Sequence, residues 1–135
     1  MPVDRTISTS GETVGEIVEL VGAEAARAGL AAPRIQRLQV AVEEAIVNVA
    51  THAYGGRTGD IRVRTCQESG CFCIEIEDDG PAFDPLLASL PDTSEALDDR
   101  RIGGLGILLI RRFTDDLRYR REQDRNILTL AVSLQ

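Results

Sequence analysis

Two runs in which apolar and polar side chains alternate constrain the fold more than any other feature of this sequence. Between the runs stands Glu68-Ser69-Gly70, a combination typical of a turn. The residues on the apolar side of the two runs are Ile61, Val63, Thr65, Phe72, Ile74 and Ile76. A period of two predicts a β-hairpin with one apolar face, and a second layer of structure has to cover that face.

The residues before the hairpin have the period of a helix instead. Over residues 33–54 apolar side chains recur at three-and-four spacing, Pro33 suits a first helical turn, and Gly55-Gly56 follows the end. An earlier helix is predicted over about residues 12–28. Together the two helices supply a layer that can cover the hairpin.

After an irregular segment, the second half of the chain contains a further helix and two further strands, without an internal repeat. A helix is predicted from Ile107 to about Thr114, and two strands near residues 117–122 and 127–134 follow it. With a first strand at the amino end, the order predicts one α+β domain over residues 1–135. Its architecture is a two-layer α/β sandwich with a mixed, mostly antiparallel sheet and helices on one face. The proline-containing residues 84–102 are predicted to form a lid or binding loop.

Composition excludes several classes of protein. A length of 135 residues allows a core without disulfides or metals, and the net charge of -7 argues against binding nucleic acid. All 15 basic residues are arginines, so the lysine of a Walker-type phosphate loop is missing. No signal sequence and no apolar run of about 20 residues is present, which predicts a cytoplasmic protein without a membrane partner.

The cysteines and the single histidine are given structural interpretations. Cys66, Cys71 and Cys73 lack the second C-x-x-C pair that a zinc site needs, so we interpret them as reduced cysteines on a strand pair. His52 lies at a predicted helix end, where packing or capping explains it.

Polar residues at three places are candidates for a site. Glu44 and Asn48 are four apart on one helix face, which is either part of a covered pocket or a solvated pair. Asp78 ends the core-facing row of the hairpin, where it either accepts a hydrogen bond from an amino group such as adenine N6 or ends the strand in an acidic turn. Gly103-Gly104-Leu105-Gly106 enters a helix, as a phosphate site or as a packing turn.

In this order the three motifs resemble those of the Bergerat-fold ATPases, the superfamily of histidine kinases and DNA gyrase. Residues 44–54 resemble its N-box, residues 78–83 its first glycine box and residues 103–106 its second. The His-Ala-Tyr ending of the N-box and the compact chain are most similar to the anti-sigma-factor serine/threonine kinases of bacterial partner-switching systems. A departure is Ala82, which stands where the first glycine box usually has a second glycine.

The resemblance implies a role for each motif. Glu44 would be the catalytic base toward a serine hydroxyl, and Asn48 would help hold Mg²⁺ against the phosphates of ATP. The implied nucleotide contacts are Asp78, Gly80, Ala82, Gly104, Leu105, Gly106 and, supporting the adenine end, Thr129. Arg100 and Arg101 either reach the γ-phosphate or only solvate the loop.

At the level of function, the resemblance implies an ATP-dependent kinase that phosphorylates an anti-anti-sigma antagonist and sequesters a sigma factor. A homodimer through the first strand and first helix is also implied. Two alternatives stay open: a nucleotide-gated binding module without catalysis, and a histidine-kinase catalytic module that acts on a separate protein.

Overall fold

The computed structural model describes residues 2–9, 11–55, 59–87 and 105–135. In chain order, the elements are β1 (Asp4–Ser8), α1 (Gly11–Arg27), α2 (Ala32–Tyr54), β2 (Asp60–Glu68), β3 (Cys71–Asp78), α3 (Leu105–Phe113), β4 (Asp116–Glu122) and β5 (Arg125–Ser133). A 3-10 turn, Pro85–Leu87, follows β3. Most of the predicted lid, residues 84–102, lies outside the described residues.

The strands form one sheet in the order β1-β2-β3-β5-β4. A mixed, mostly antiparallel sheet is predicted, and each neighbouring pair of these five strands is antiparallel. Two tight turns enforce this direction. Positive φ angles at Ser69 and Gly70, and again at Gln123 and Asp124, give hairpins with the twist that adjacent strands require.

The α+β sandwich is confirmed, with the described helices on one face of the sheet. Alternate residues of the strands pack with the helices in one core, whose largest fully buried members are Phe72, Ile17, Leu38, Ile46, Ile61, Ile74, Ile76, Ile110 and Leu130. The other face carries ion pairs, including Arg64 with Glu75 (2.8 Å) and Arg125 with Glu77 (2.8 Å). Cys66 and Cys73 are cross-strand partners on this face and are not disulfide-bonded.

The predicted helices are confirmed with small shifts of their ends. The α2 helix ends at Tyr54 and is capped by Gly55, whose left-handed φ of 57° lets its N–H reach the oxygen of Ala50. The α3 helix begins at Leu105, so the end of the second glycine motif forms its first turn. No helix in the described ranges is long and apolar enough to cross a membrane.

Candidate functional site

Asp78 is a buried carboxyl group at the end of β3. Its side chain lies in the core-facing row, opposite Ile61 on β2 and Asn126 on β5, and the residue is 5% exposed. Its Oδ1 accepts hydrogen bonds from the Gly80 N–H (2.8 Å) and from Asn126 Nδ2 (2.9 Å). Burial raises the pKa of Asp78, and the Asn126 hydrogen bond opposes that rise.

Asn126 organises the loop that follows Asp78, and the sequence analysis missed it. Its Nδ2 also donates to the oxygen of Pro81 (2.9 Å), while its Oδ1 accepts from the Phe83 N–H (3.3 Å) and from the Tyr119 hydroxyl. The alternation of β5 could have revealed it. Asn126 ends the row that contains Leu128 and Leu130, as Asp78 ends its own row.

Gly80 allows the loop to pass against α2. A Cβ there would lie 2.4 Å from Ala53 Cβ and 2.8 Å from Ala53 Cα, and no L side chain fits at such distances. The Gly80 oxygen accepts a hydrogen bond from Arg121 (2.8 Å). Ala82, two residues further, is exposed, so its methyl group meets no crowding of that kind.

Asn48 is buried on α2, which excludes a solvated Glu44–Asn48 pair. It is 6% exposed, and its Nδ2 has no hydrogen-bond partner within the described part of the chain. A buried amide without a partner costs stability unless a ligand satisfies it. The Nδ2 N–H groups are therefore available to an acceptor such as a bound phosphate oxygen.

Glu44 lies against the start of α3. A Cβ at Gly106 would be 2.9 Å from Glu44 Oε2, so the helix entry and the carboxylate are in direct contact distance. This contact brings the N-box and the second glycine motif together. Gly104, Arg100 and Arg101 lie outside the described residues.

A narrow pocket connects Asp78 with Asn48. It is lined by Asn48, Val49, His52, Ala53, Asp78, Phe83, Pro85, Tyr119, Asn126 and Leu128. Its volume is about 20 Å³, room for about one water molecule. The His52 ring stacks on Phe83 at 4.2 Å between centroids, and burial lowers the pKa of His52. His52 has a packing role here.

Thr129 is not part of this pocket, and its predicted role needs correction. It pairs with Glu75 on β3 and lines a separate cavity with Cys66 and Cys73 on the helix-free face. Because successive residues of a strand point to opposite faces, Thr129 cannot share the face of Leu128 and Asn126. Asn126 lies beside Asp78, at the adenine end of the site where we expected Thr129 to contribute.

The arrangement offers several polar groups that suit a nucleotide. Asp78 offers a carboxylate oxygen to an exocyclic amino group in a partly apolar pocket. The Asn48 amide, whose Nδ2 has no partner among the residues that the structure describes, lies between Asp78 and the α3 entry. The first N–H groups of a helix favour phosphate. Glu44 stands at that same entry as a carboxylate able to accept a proton.

Comparisons with known proteins agree with this geometry. The profile of the histidine kinase-like ATPase domain family matches residues 7–132. The chain is 35% identical over 95 residues to the serine/threonine-protein kinase BtrW of Bordetella bronchiseptica, covering 70% of this chain and 67% of that protein. It is 34% identical over 99 residues to the serine-protein kinase RsbW of Listeria monocytogenes, covering 70% and 63%.

A longer match extends over nearly the whole chain. The serine-protein kinase RsbW of Halalkalibacterium halodurans is 30% identical over 138 residues, covering 98% of this chain and 83% of that protein. The histidine kinase AdeS of Acinetobacter baumannii has a TM-score of 0.52 and 15% identity, covering 97% of this chain and 68% of that one, which is a likeness of fold. The chain therefore belongs to the histidine kinase-like ATPase domain family, in the branch of the serine-protein kinases BtrW and RsbW.

Proposed function

We propose that this chain is an ATP-dependent protein serine/threonine kinase whose one domain spans residues 1–135. The observation that carries the proposal is the contact of Glu44 with Gly106 at the start of α3. It puts a carboxylate at a helix entry, and the first N–H groups of a helix favour phosphate. Asn48 lies one helical turn further along α2, toward Asp78 in the pocket.

In this proposal the nucleotide lies along the three motifs. Asp78 accepts a hydrogen bond from adenine N6, with Asn126 and the Gly80 N–H fixing the carboxylate, and Ala82 borders the same loop. Gly104, Leu105 and Gly106 would bind the phosphates through their backbone N–H groups. Asn48 would hold Mg²⁺, which when bound neutralises phosphate charge.

Glu44 is the proposed general base. It accepts the proton of the acceptor serine hydroxyl while the serine oxygen forms a bond to the γ-phosphorus and ADP leaves. Phosphoryl transfer depends mainly on positioning and charge neutralisation, so one carboxylate beside the nucleophile is sufficient to accept its proton.

The proposed partners follow from the resemblance of the motifs to anti-sigma-factor kinases. The phosphorylated partner would be an anti-anti-sigma antagonist, and a sigma factor would be the sequestered one, in the bacterial cytoplasm. The family would also imply a homodimer through β1 and α1.

The test is phosphoryl transfer from radiolabelled ATP to a co-encoded antagonist protein. We expect an acid-stable phosphoserine or phosphothreonine with the wild type and at least about a hundredfold less with Glu44→Gln, the loss typical of a missing general base. Glu43→Gln is the matched control, because Glu43 is the exposed neighbour on the same helix. An acid-labile phosphohistidine would instead indicate the histidine-kinase alternative. No transfer with normal ATP binding would contradict the kinase proposal.

A second candidate is a nucleotide-gated binding module. It is favoured by the small pocket, since about 20 Å³ beside the stacked rings of His52 and Phe83 is too small for an adenine ring, and Phe83 directly precedes residues 84–102. Nucleotide binding would then change the segment that follows. Partner affinity that is the same with ATP, with ADP and with no nucleotide would contradict this candidate.

A further inference from the structure

A basic cluster lies at the far end of the α2–α3 pair from Gly106. Arg34, Arg37 and Arg112 line a surface pocket of about 160 Å³. Arg34 forms an ion pair with Asp115, at 3.4 Å, whereas Arg37 and Arg112 are exposed and form no ion pair within the described ranges. Such a cluster stands out on a chain whose net charge is -7.

Local helix electrostatics do not explain the whole cluster. Arg112 is in the last turn of α3, where a cation is favourable. Arg34 and Arg37 are instead in the first two turns of α2, which has no acidic residue in its first turn. Cations at a helix amino end are unfavourable, so these side chains gain more from an external anion than from their own helix.

The cluster lies at a defined distance from Glu44. Arg37 and Glu44 are seven residues apart on one face of α2, which is about 10 Å at 1.5 Å per residue. The α3 helix gives a similar value independently. Along α3, Gly106 lies next to Glu44 and Arg112 lines the same pocket as Arg37. These two residues of α3 are six apart, which is about 9 Å along the helix.

Apolar side chains are exposed along the same part of α2. Val40, one turn before Glu44, is 41% exposed, and Val47 is 51% exposed. A protein that brings a serine hydroxyl to Glu44 has to cover this surface. Exposed valines next to a reactive carboxylate and a basic pocket have the composition of a docking surface with an apolar centre and a charged end.

We propose that Arg34, Arg37 and Arg112 bind acidic side chains of the protein substrate, about 10 Å from its acceptor serine. The segment between the two contacts packs on Val40. This inference rests on the proposed kinase function, because the substrate is the only occupant that must reach Glu44. The complementary charge speeds encounter and sets the orientation of the substrate on α2.

The first test measures the anion site without any kinase reaction. The probe is a fluorescein-labelled peptide of six glutamates, and its fluorescence anisotropy is followed at low salt. Arg37→Glu/Arg112→Glu should weaken binding at least about tenfold. The control Arg118→Glu/Arg120→Glu changes the net charge equally at two exposed positions on β4 and should bind like the wild type. No binding to the wild type, or equal binding to all three proteins, overturns the docking site.

The second test uses the co-encoded antagonist as phosphoacceptor. Arg37→Glu/Arg112→Glu should raise the KM for the antagonist about tenfold or more, with kcat and the ATP-induced rise in Tm unchanged. A KM equal to that of the control double variant overturns the inference. If the wild type transfers no phosphate, the kinase proposal fails, and the peptide experiment still decides whether the basic cluster binds acidic side chains.

Discussion

At the scale of single residues, recognition of a base conflicts with stability at Asp78. The carboxyl is buried in a row of apolar side chains, and its hydrogen bonds from Asn126 and Gly80 only partly offset the desolvation that raises its pKa. The protein keeps a costly buried charge at the position where an adenine amino group would be read. Removing the charge should therefore weaken nucleotide binding without lowering the stability of the protein.

We expect Asp78→Asn to melt no lower than the wild type at pH 7 without nucleotide. The pKa of Asp78 in the folded protein lies above the unfolded value of 3.8. The free energy of unfolding therefore falls as the pH rises from the unfolded pKa to the folded pKa, and at higher pH the whole cost of burying the charge is present. Asparagine carries no charge, and the advantage of the variant should shrink toward pH 4. Melting curves from pH 4 to 7 check this, together with loss of the ATP-induced shift. A markedly lower Tm at pH 7 would show that the ionised carboxylate stabilises the fold.

Asn126 and Thr129 form a matched pair on opposite faces of β5. Asn126→Ala removes the amide that joins Asp78, Pro81 and Phe83, so we expect a loss of about 1–3 kcal/mol in the free energy of unfolding and weaker ATP binding. Thr129→Val, on the helix-free face, should leave ATP affinity unchanged. Urea unfolding and nucleotide titration measure both. Weaker ATP binding by Thr129→Val alone would reverse our assignment.

At the scale of elements, glycine-to-alanine changes in two helices distinguish an effect of helix propensity on stability from an effect on catalysis. Nothing lies within 4 Å of a Cβ at Gly15 in α1, so Gly15→Ala should stabilise the protein by roughly 0.5–1 kcal/mol without affecting catalysis. At Gly106 the Cβ meets the flexible end of Glu44, which can move aside. Gly106→Ala should therefore leave Tm nearly unchanged but lower kcat at least about tenfold, because the general base is displaced. Equal activity in both variants would argue against Glu44 as the base.

The elements themselves were predictable because their signals are local. Alternation over β2 and β3 and the three-and-four seam of α2 each lie within one element, so they require no knowledge of its neighbours. The place of β5 between β3 and β4 results from pairing between distant residues, and periodicity does not encode it. The misassignment of Thr129 has another origin, since alternation within β5 already puts it on the face opposite Asn126 and Leu128, and its register with Glu75 agrees.

At the scale of the whole molecule, the proposed nucleotide contacts come from α2, the end of β3, the loop after β3 and α3. These elements share one hydrophobic core, so a ligand that joins them stabilises the fold as a whole rather than one segment. The contact of Asn48 and Asp78 with the ligand should be required for this effect. Glu44, which acts on the protein substrate, should not be.

We therefore expect Mg²⁺-ATP at a hundred times its dissociation constant to add roughly 2.7 kcal/mol to the free energy of unfolding, a Tm increase of several degrees. Glu44→Gln should retain this increase, whereas Asn48→Ala should lose it, in part because its buried amide no longer meets the ligand. Thermal melts with ATP, with Mg²⁺ alone and with both measure the effect. If Asn48→Ala keeps the full Mg²⁺-ATP shift, the nucleotide lies elsewhere and Glu44 is no longer next to a phosphate. If Glu44→Gln loses it as well, the carboxylate contributes to binding and its assignment as a base has to rest on kcat alone.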